Sequence, residues 1–229
     1  MHRPAAPHLA RLLACAAVPV MLLAGCSSGS DSGAKSQQGQ AGSSSSGSST
    51  STASPSLAPA KYKTLPDPCK AMSQDTVNHL VQSAKNPNGT AANSNDLKDR
   101  GGCSWNGLDG YQFRYLDDSF QRFDSIPNAS ADDQAKSSFQ QAVQTTTGKA
   151  SSPKTTQLSG LGDSATLITW DDKKGDDPYH NATVVARSAN VVVVIDFNGA
   201  GMQGDDKPKA DEMDKDTQQA AKEALASLK

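Results

Sequence analysis

The sequence predicts an α+β domain: an antiparallel sheet of about five to six strands, with N-terminal, middle and C-terminal helices packed on it and one disulfide. Three observations carry this reading. Apolar residues recur at helical spacing at the start, middle and end of the region after residue 60. Between them lie β-branched or alternating runs, several joined by turns too short for a crossover. The resulting order, α-β-β-α-β-β-β-β-α, keeps strands beside strands and so favours hairpins over β-α-β units.

Pro66-Asp67-Pro68-Cys69 opens the domain as a stiff extended lead-in, because each proline turns its predecessor away from helix. Ser73 is placed to cap a helix, with Asp75 in its first turn and Val77, Leu80, Val81 and Ala84 as its apolar face. Asn86-Pro87-Asn88-Gly89 ends it, and residues 90–102 read as a loop. Two short strands follow at 102–105 and 110–116. In the second, Tyr111, Phe113 and Tyr115 alternate with Gln112 and Arg114, and a turn at 106–110 rich in residues tolerant of positive φ joins the two. Residues 118–146 read as helix interrupted at Pro127. Phe120, Phe123 and Ile126 share a face of the first piece, and Phe139, Ala142 and Val143 point inward from a second opened by Asp132 and Asp133.

After a break at 148–153 come a strand at 155–158, the turn Gly160-Leu161-Gly162-Asp163, a strand at 165–170 and a charged loop at 171–179. The clearest hairpin pairs 182–188 with 190–197 around Ala189-Asn190. Its continuous run Val191–Ile195 suggests a central strand buried on both faces. A loop at 199–206 leads to a closing helix from about Pro208, whose inner side is Met213, Thr217, Ala220, Ala221, Ala224, Leu225 and Leu228.

Ahead of this domain the chain has two other parts. Arg3 and Arg11 precede an apolar run over 12–23, too short to span a bilayer, which ends in Leu23-Ala24-Gly25-Cys26. This resembles the bacterial lipobox. The resemblance implies a lipoprotein signal peptide over 1–25, cleavage before Cys26 and lipid on the Cys26 sulfur. Residues 26–60 are dominated by Ser, Gly, Ala, Thr, Gln and Pro. Such a stretch cannot bury enough apolar surface to offset its ordering entropy, so it reads as a disordered tether with a reach of roughly 30–35 Å. Residues 61–229 then form a single domain, large enough for a proper core.

The chain carries 22 Lys and Arg against 24 Asp and Glu, a formal net charge of −2. Only Arg3, Arg11, Lys35 and Asp31 lie ahead of the domain, which is therefore the more acidic part. With no basic stripe, it excludes phosphate-backbone partners: no nucleic acid is expected, and membrane attachment rests on the lipid anchor at Cys26. The expected location is the outer face of the cell membrane. Of the four cysteines, Cys15 leaves with the leader and Cys26 takes the lipid, so Cys69 and Cys103 read as a disulfide in an oxidising compartment.

Catalytic patterns occur by letter and fail by context. Gly25-Cys26-Ser27-Ser28-Gly29 opens a tether, where no strand-turn-helix elbow can form. Ser151-Ser152-Pro153-Lys154 has its helical turn broken by proline, and no Lys-Thr-Gly follows. Gly160-Leu161-Gly162-Asp163-Ser164-Ala165 is followed by a strand, so no helix N-terminus faces a pyrophosphate. Asp171, Asp172, Asp176, Asp177 and His180 gather in one loop but lack the ligand alternation of a calcium loop. His79 reads as a helix-flank residue. No catalytic residue, metal or cofactor is assigned.

Pro66-Asp67-Pro68-Cys69, the later Cys103-Ser104-Trp105, the Gly-x-Gly-Asp-x-Ala turn at 160–165, the Val-rich hairpin and the C-terminal helix occur here in order. Together they resemble a family of actinobacterial lipoproteins of unknown function, and more loosely the extracellular sensor domain of a mycobacterial Ser/Thr kinase. The family resemblance implies a Cys69–Cys103 bridge, and packing then puts Trp105 in the core close to it. The functional expectation is a non-enzymatic binding or sensor-like module for a small molecule, a wall fragment or another envelope protein. Tyr111, Tyr115, Trp170 and Asp163 are its candidate lining. The alternatives are a structural partner in an envelope complex and an envelope hydrolase with a scattered active site.

Overall fold

The computed structural model describes residues 58–93, 96 and 98–229; Cys26 and the stretches expected to be leader and, as far as residue 57, tether lie outside them. Its elements are α1 (Gln74–Leu80), β1 (Thr90–Ala91), β2 (Arg100–Asp109), β3 (Gln112–Arg122), α2 (Ala131–Lys149), β4 (Lys154–Leu158), β5 (Ser164–Lys174), β6 (Asp177–Ser188), β7 (Val191–Gly201) and α3 (Ala210–Ala226). The architecture is α+β. The sheet has seven strands in the spatial order β1-β2-β3-β7-β6-β5-β4, and every neighbouring pair is antiparallel. No helix among the described residues is long and apolar enough to cross a membrane.

The strand count corrects the expected five to six. The additional strand, β1, lies inside the stretch expected to be a loop, where Ala91 pairs with Cys103. The larger correction concerns residues 118–122, expected as helix. They continue β3, where Leu116, Asp118, Phe120 and Arg122 alternate inward at the period of a strand. Phe120, Phe123 and Ile126 do not share a face: Phe120 joins one core, Phe123 borders the other, and Ile126 is exposed. Elsewhere the strands are longer than expected because their turns are tighter. Gly110, at φ +57°, and Gly175, at φ +66°, turn the chain where broader loops were expected, in the left-handed conformation glycine adopts at little cost.

Two cores sandwich the sheet. On the first face, Trp105, Leu116, Phe120, Val193, Ile195 and Phe197 meet the N-terminal segment, α1 and α3. Alanines 220, 221 and 224 let α3 lie close to the strands. Ser73 caps α1 by accepting the Thr76 N–H at 3.2 Å, and Glu223 of α3 accepts from the Ser73 N–H at 2.8 Å and the Thr76 hydroxyl at 2.6 Å. On the second face, Ile168, Val185 and Val192 pack under Phe139, Ala142 and Val143 of α2. The expectation for Val191–Ile195 holds: β7 is the middle strand, and four of these five side chains are buried.

Cys69 and Cys103 are bridged, which ties the N-terminal segment to β2 across 34 residues. In the chain-entropy account a loop of this size contributes about 4 kcal/mol. Trp105 is buried beside the bridge, and Gly89 (φ +77°) fits over both: a Cβ there would lie 2.4 Å from the Cys103 sulfur and 2.7 Å from the indole. Asn190, in the β6–β7 turn, is fully buried with a satisfied amide. It donates to the carbonyls of Tyr62 and Phe123, and accepts from the Tyr62 N–H, each at 2.9 Å.

Candidate functional site

The second face of the sheet is only partly covered. α2 packs on β5, β6 and β7. Most of β2 and β3 carries no helix on this side among the described residues. Strand alternation assigns the row on this face: Asp117 of β3 stands in register with Ser104 of β2 and Asp196 of β7, all partly exposed, and Asp196 with the buried Thr183 of β6. The next row is Asn106, Tyr115, Asn198, Asn181 and Trp170, one residue from each of five strands. Between α2 and β3 the uncovered strip deepens into a groove of about 320 Å³. Its floor includes Asp117, Ser119, Gln121 and Val194, with Ser138 and Ala142 as the helical wall. Ser138 bridges wall and floor by donating to Gln121 Oε1 at 3.2 Å.

The carboxylate pair is the electrostatic centre of this strip. Burial, and then the facing Asp196, push Asp117 up to about 6, while a hydrogen bond from Tyr115 pulls the other way. Burial also raises Asp196, opposed by the Thr183 hydroxyl that donates to it and by Lys149 at the end of α2. Burial and the Asp117 charge raise the Tyr115 hydroxyl, which also contacts Ser104. Like charges directly opposite one another weaken a strand pair, so the fold retains here an arrangement that costs it stability. Chemically, the strip offers carboxylate, amide and hydroxyl groups, with Val194 and Ala142 as apolar neighbours.

The sequence candidates separate. Tyr115 and Trp170 lie in one row, with Asn198 and Asn181 between them. Trp170 borders the α2 core, whereas Tyr115 stands on the open side. Tyr111 is 53 % exposed at the β2–β3 turn, where its carbonyl accepts the Met202 N–H. Asp163 sits away from the groove in the β4–β5 turn, accepting from the Ala189 N–H at 2.6 Å and facing Arg187 at 3.5 Å. In that turn Gly160 and Gly162 both have positive φ, and a Cβ on Gly162 would strike the Arg187 carbonyl at 2.4 Å. The acidic loop resolves into the ends of β5 and β6. There the buried His180 ring joins Asp171 at 2.8 Å and Asp214 of α3 at 3.0 Å.

Asp117, Asp196, Thr183 and Asn198 were absent from the sequence candidates. One signal for them was present: Asp196 interrupts an apolar run between Ile195 and Phe197, and a charge placed mid-strand asks for an explanation.

The sequence pattern of a family described as "Protein of unknown function (DUF3558)" matches residues 21–160. No curated protein and no solved structure matches the chain.

Proposed function

The chain belongs to the DUF3558 family of proteins of unknown function, and from that premise we propose that it is a non-enzymatic binding module, held at the outer face of the membrane by lipid on Cys26, that captures a small polar ligand in the groove beside α2. The observation that carries the binding role is the Asp117–Asp196 pair, two facing carboxylates retained at a cost on a face that α2 leaves open. Support for the anchor is the Leu23-Ala24-Gly25-Cys26 pattern after a short apolar run. The test is mass spectrometry of small molecules released from the full-length protein purified from its native membranes. A compound that accompanies the wild type and is lost from Asp117→Asn supports the reading. Recovery of none, or equal recovery from both, overturns it.

A further inference from the structure

We propose that the ligand class of this groove is an uncharged saccharide, lying along β3 with Tyr115 against one sugar ring and the Asp117–Asp196 pair accepting from its hydroxyls. This rests on the binding reading above and narrows it.

In an antiparallel strand alternate residues point to one face and repeat about every 7 Å. Tyr115, Asp117, Ser119 and Gln121 therefore form a ladder along the open strip, and the last three line the groove itself. A ladder of regularly spaced polar groups suits an extended chain of polar units better than a compact molecule.

The chemistry of the groove and of the strip beside it, where Asp196 and Asn198 stand, narrows the class. Both central carboxylates already bond hydroxyls, Asp196 that of Thr183 and Asp117 that of Tyr115. Each carboxylate has about four lone-pair sites and one such bond, so acceptor capacity remains for a ligand's hydroxyls. Asn198, next to Asp196 on the same face of β7, adds an amide able to donate and accept together. Val194 and Ala142 supply the apolar contact that the C–H face of a sugar requires. An anionic ligand would meet two carboxylates at the centre of the strip. A cation would find the pair partly offset by Lys149 beside Asp196 and by Arg100 on the groove wall.

Titration calorimetry on the full-length protein carrying Cys26→Ser provides the test. The probes are neutral trisaccharides built from glucose, galactose, arabinose and N-acetylglucosamine, with spermidine and calcium chloride run alongside. At least one trisaccharide is expected to bind, with affinity falling tenfold or more in Tyr115→Ala and in Asp117→Ala. Tyr115→Phe, which keeps the ring and loses the hydroxyl, should fall only a few-fold. Binding of spermidine or calcium alone, lost in Asp117→Ala, overturns the saccharide class and leaves the groove as the site. Saccharide binding unchanged in both alanine variants overturns the groove. No binding of any trisaccharide overturns the proposal, while copurification of a compound lost from Asp117→Asn would still uphold a ligand of another class. Circular dichroism on each variant separates lost binding from lost folding.

Discussion

Asp118 Oδ1 accepts the Cys103 N–H at 2.8 Å across the β2–β3 pair, and the other carboxylate oxygen is buried with no partner. Asp118 is completely buried, and that burial pushes it from the ordinary 3.8 up to about 8. Burial thus favours the protonated form of this carboxyl far above the ordinary carboxylate range.

That raised value fixes the sign of a pH effect. Below the ordinary 3.8 the folded and unfolded chains both hold this proton. Between there and about 8 only the folded chain keeps it, so this group's contribution to stability falls as pH rises and levels off above 8. Urea melts from pH 5 to pH 9 should show the decline. Asp118→Asn, nearly isosteric and uncharged, should remove most of it with little change at pH 5. A wild-type stability that rises with pH over this range would contradict the assignment.

Asp117 adds to the same decline at lower pH, because its folded value lies near 6. Asp117→Asn should stabilise the protein at pH 8 by roughly 1–2 kcal/mol, the shift being discounted for the part of the carboxylate that water still screens. A gain in thermal melting temperature with a loss of ligand is the expected pairing, the trade-off of a site that holds charge for function.

Gly89→Ala meets two obstacles together. Its φ of +77° disfavours any side chain, and the new methyl would enter the space of the Cys103 sulfur and the Trp105 ring. The expected loss is about 3 kcal/mol, read from the denaturation midpoint. Gly175→Ala, with open space at its Cβ and φ +66°, carries only the conformational penalty, about 1 kcal/mol.

Cys26→Ser should shift the protein from the membrane fraction to the soluble envelope fraction while leaving the urea midpoint unchanged, since Cys26 lies outside the described domain. Fractionation with immunodetection checks the first outcome. A variant that matures normally yet stays anchored would set the lipid assignment aside.

Much of the fold was legible because local signals and tertiary demand agreed. Val191–Ile195 could serve only as a buried strand, Ser73 only as a cap, and the Ala-rich side of α3 only as a core face. The misreading at 118–122 arose where two periods coincide. Phe120, Phe123 and Ile126 fit a helix, while Leu116, Asp118 and Phe120 fit a strand, and the buried Asp118 disguised the strand by breaking its apolar alternation. The groove was less legible for a further reason. Its residues come from β2, β3, β7 and α2, and nothing local announces that Asp117 will face Asp196, 79 positions later in the chain. That relation belongs to the strand order, in which β7 inserts between β3 and β6.

Asn190 has a mechanical consequence. Two of its three bonds fasten the Tyr62 backbone to the β6–β7 turn, at one end of the central strand, and the third holds the Phe123 carbonyl. A force drawing the domain by its N-terminal side meets this clamp and then the Cys69–Cys103 bridge before it can peel any strand. The load therefore enters first at the end of the central strand and next at β2, and not through either outermost strand.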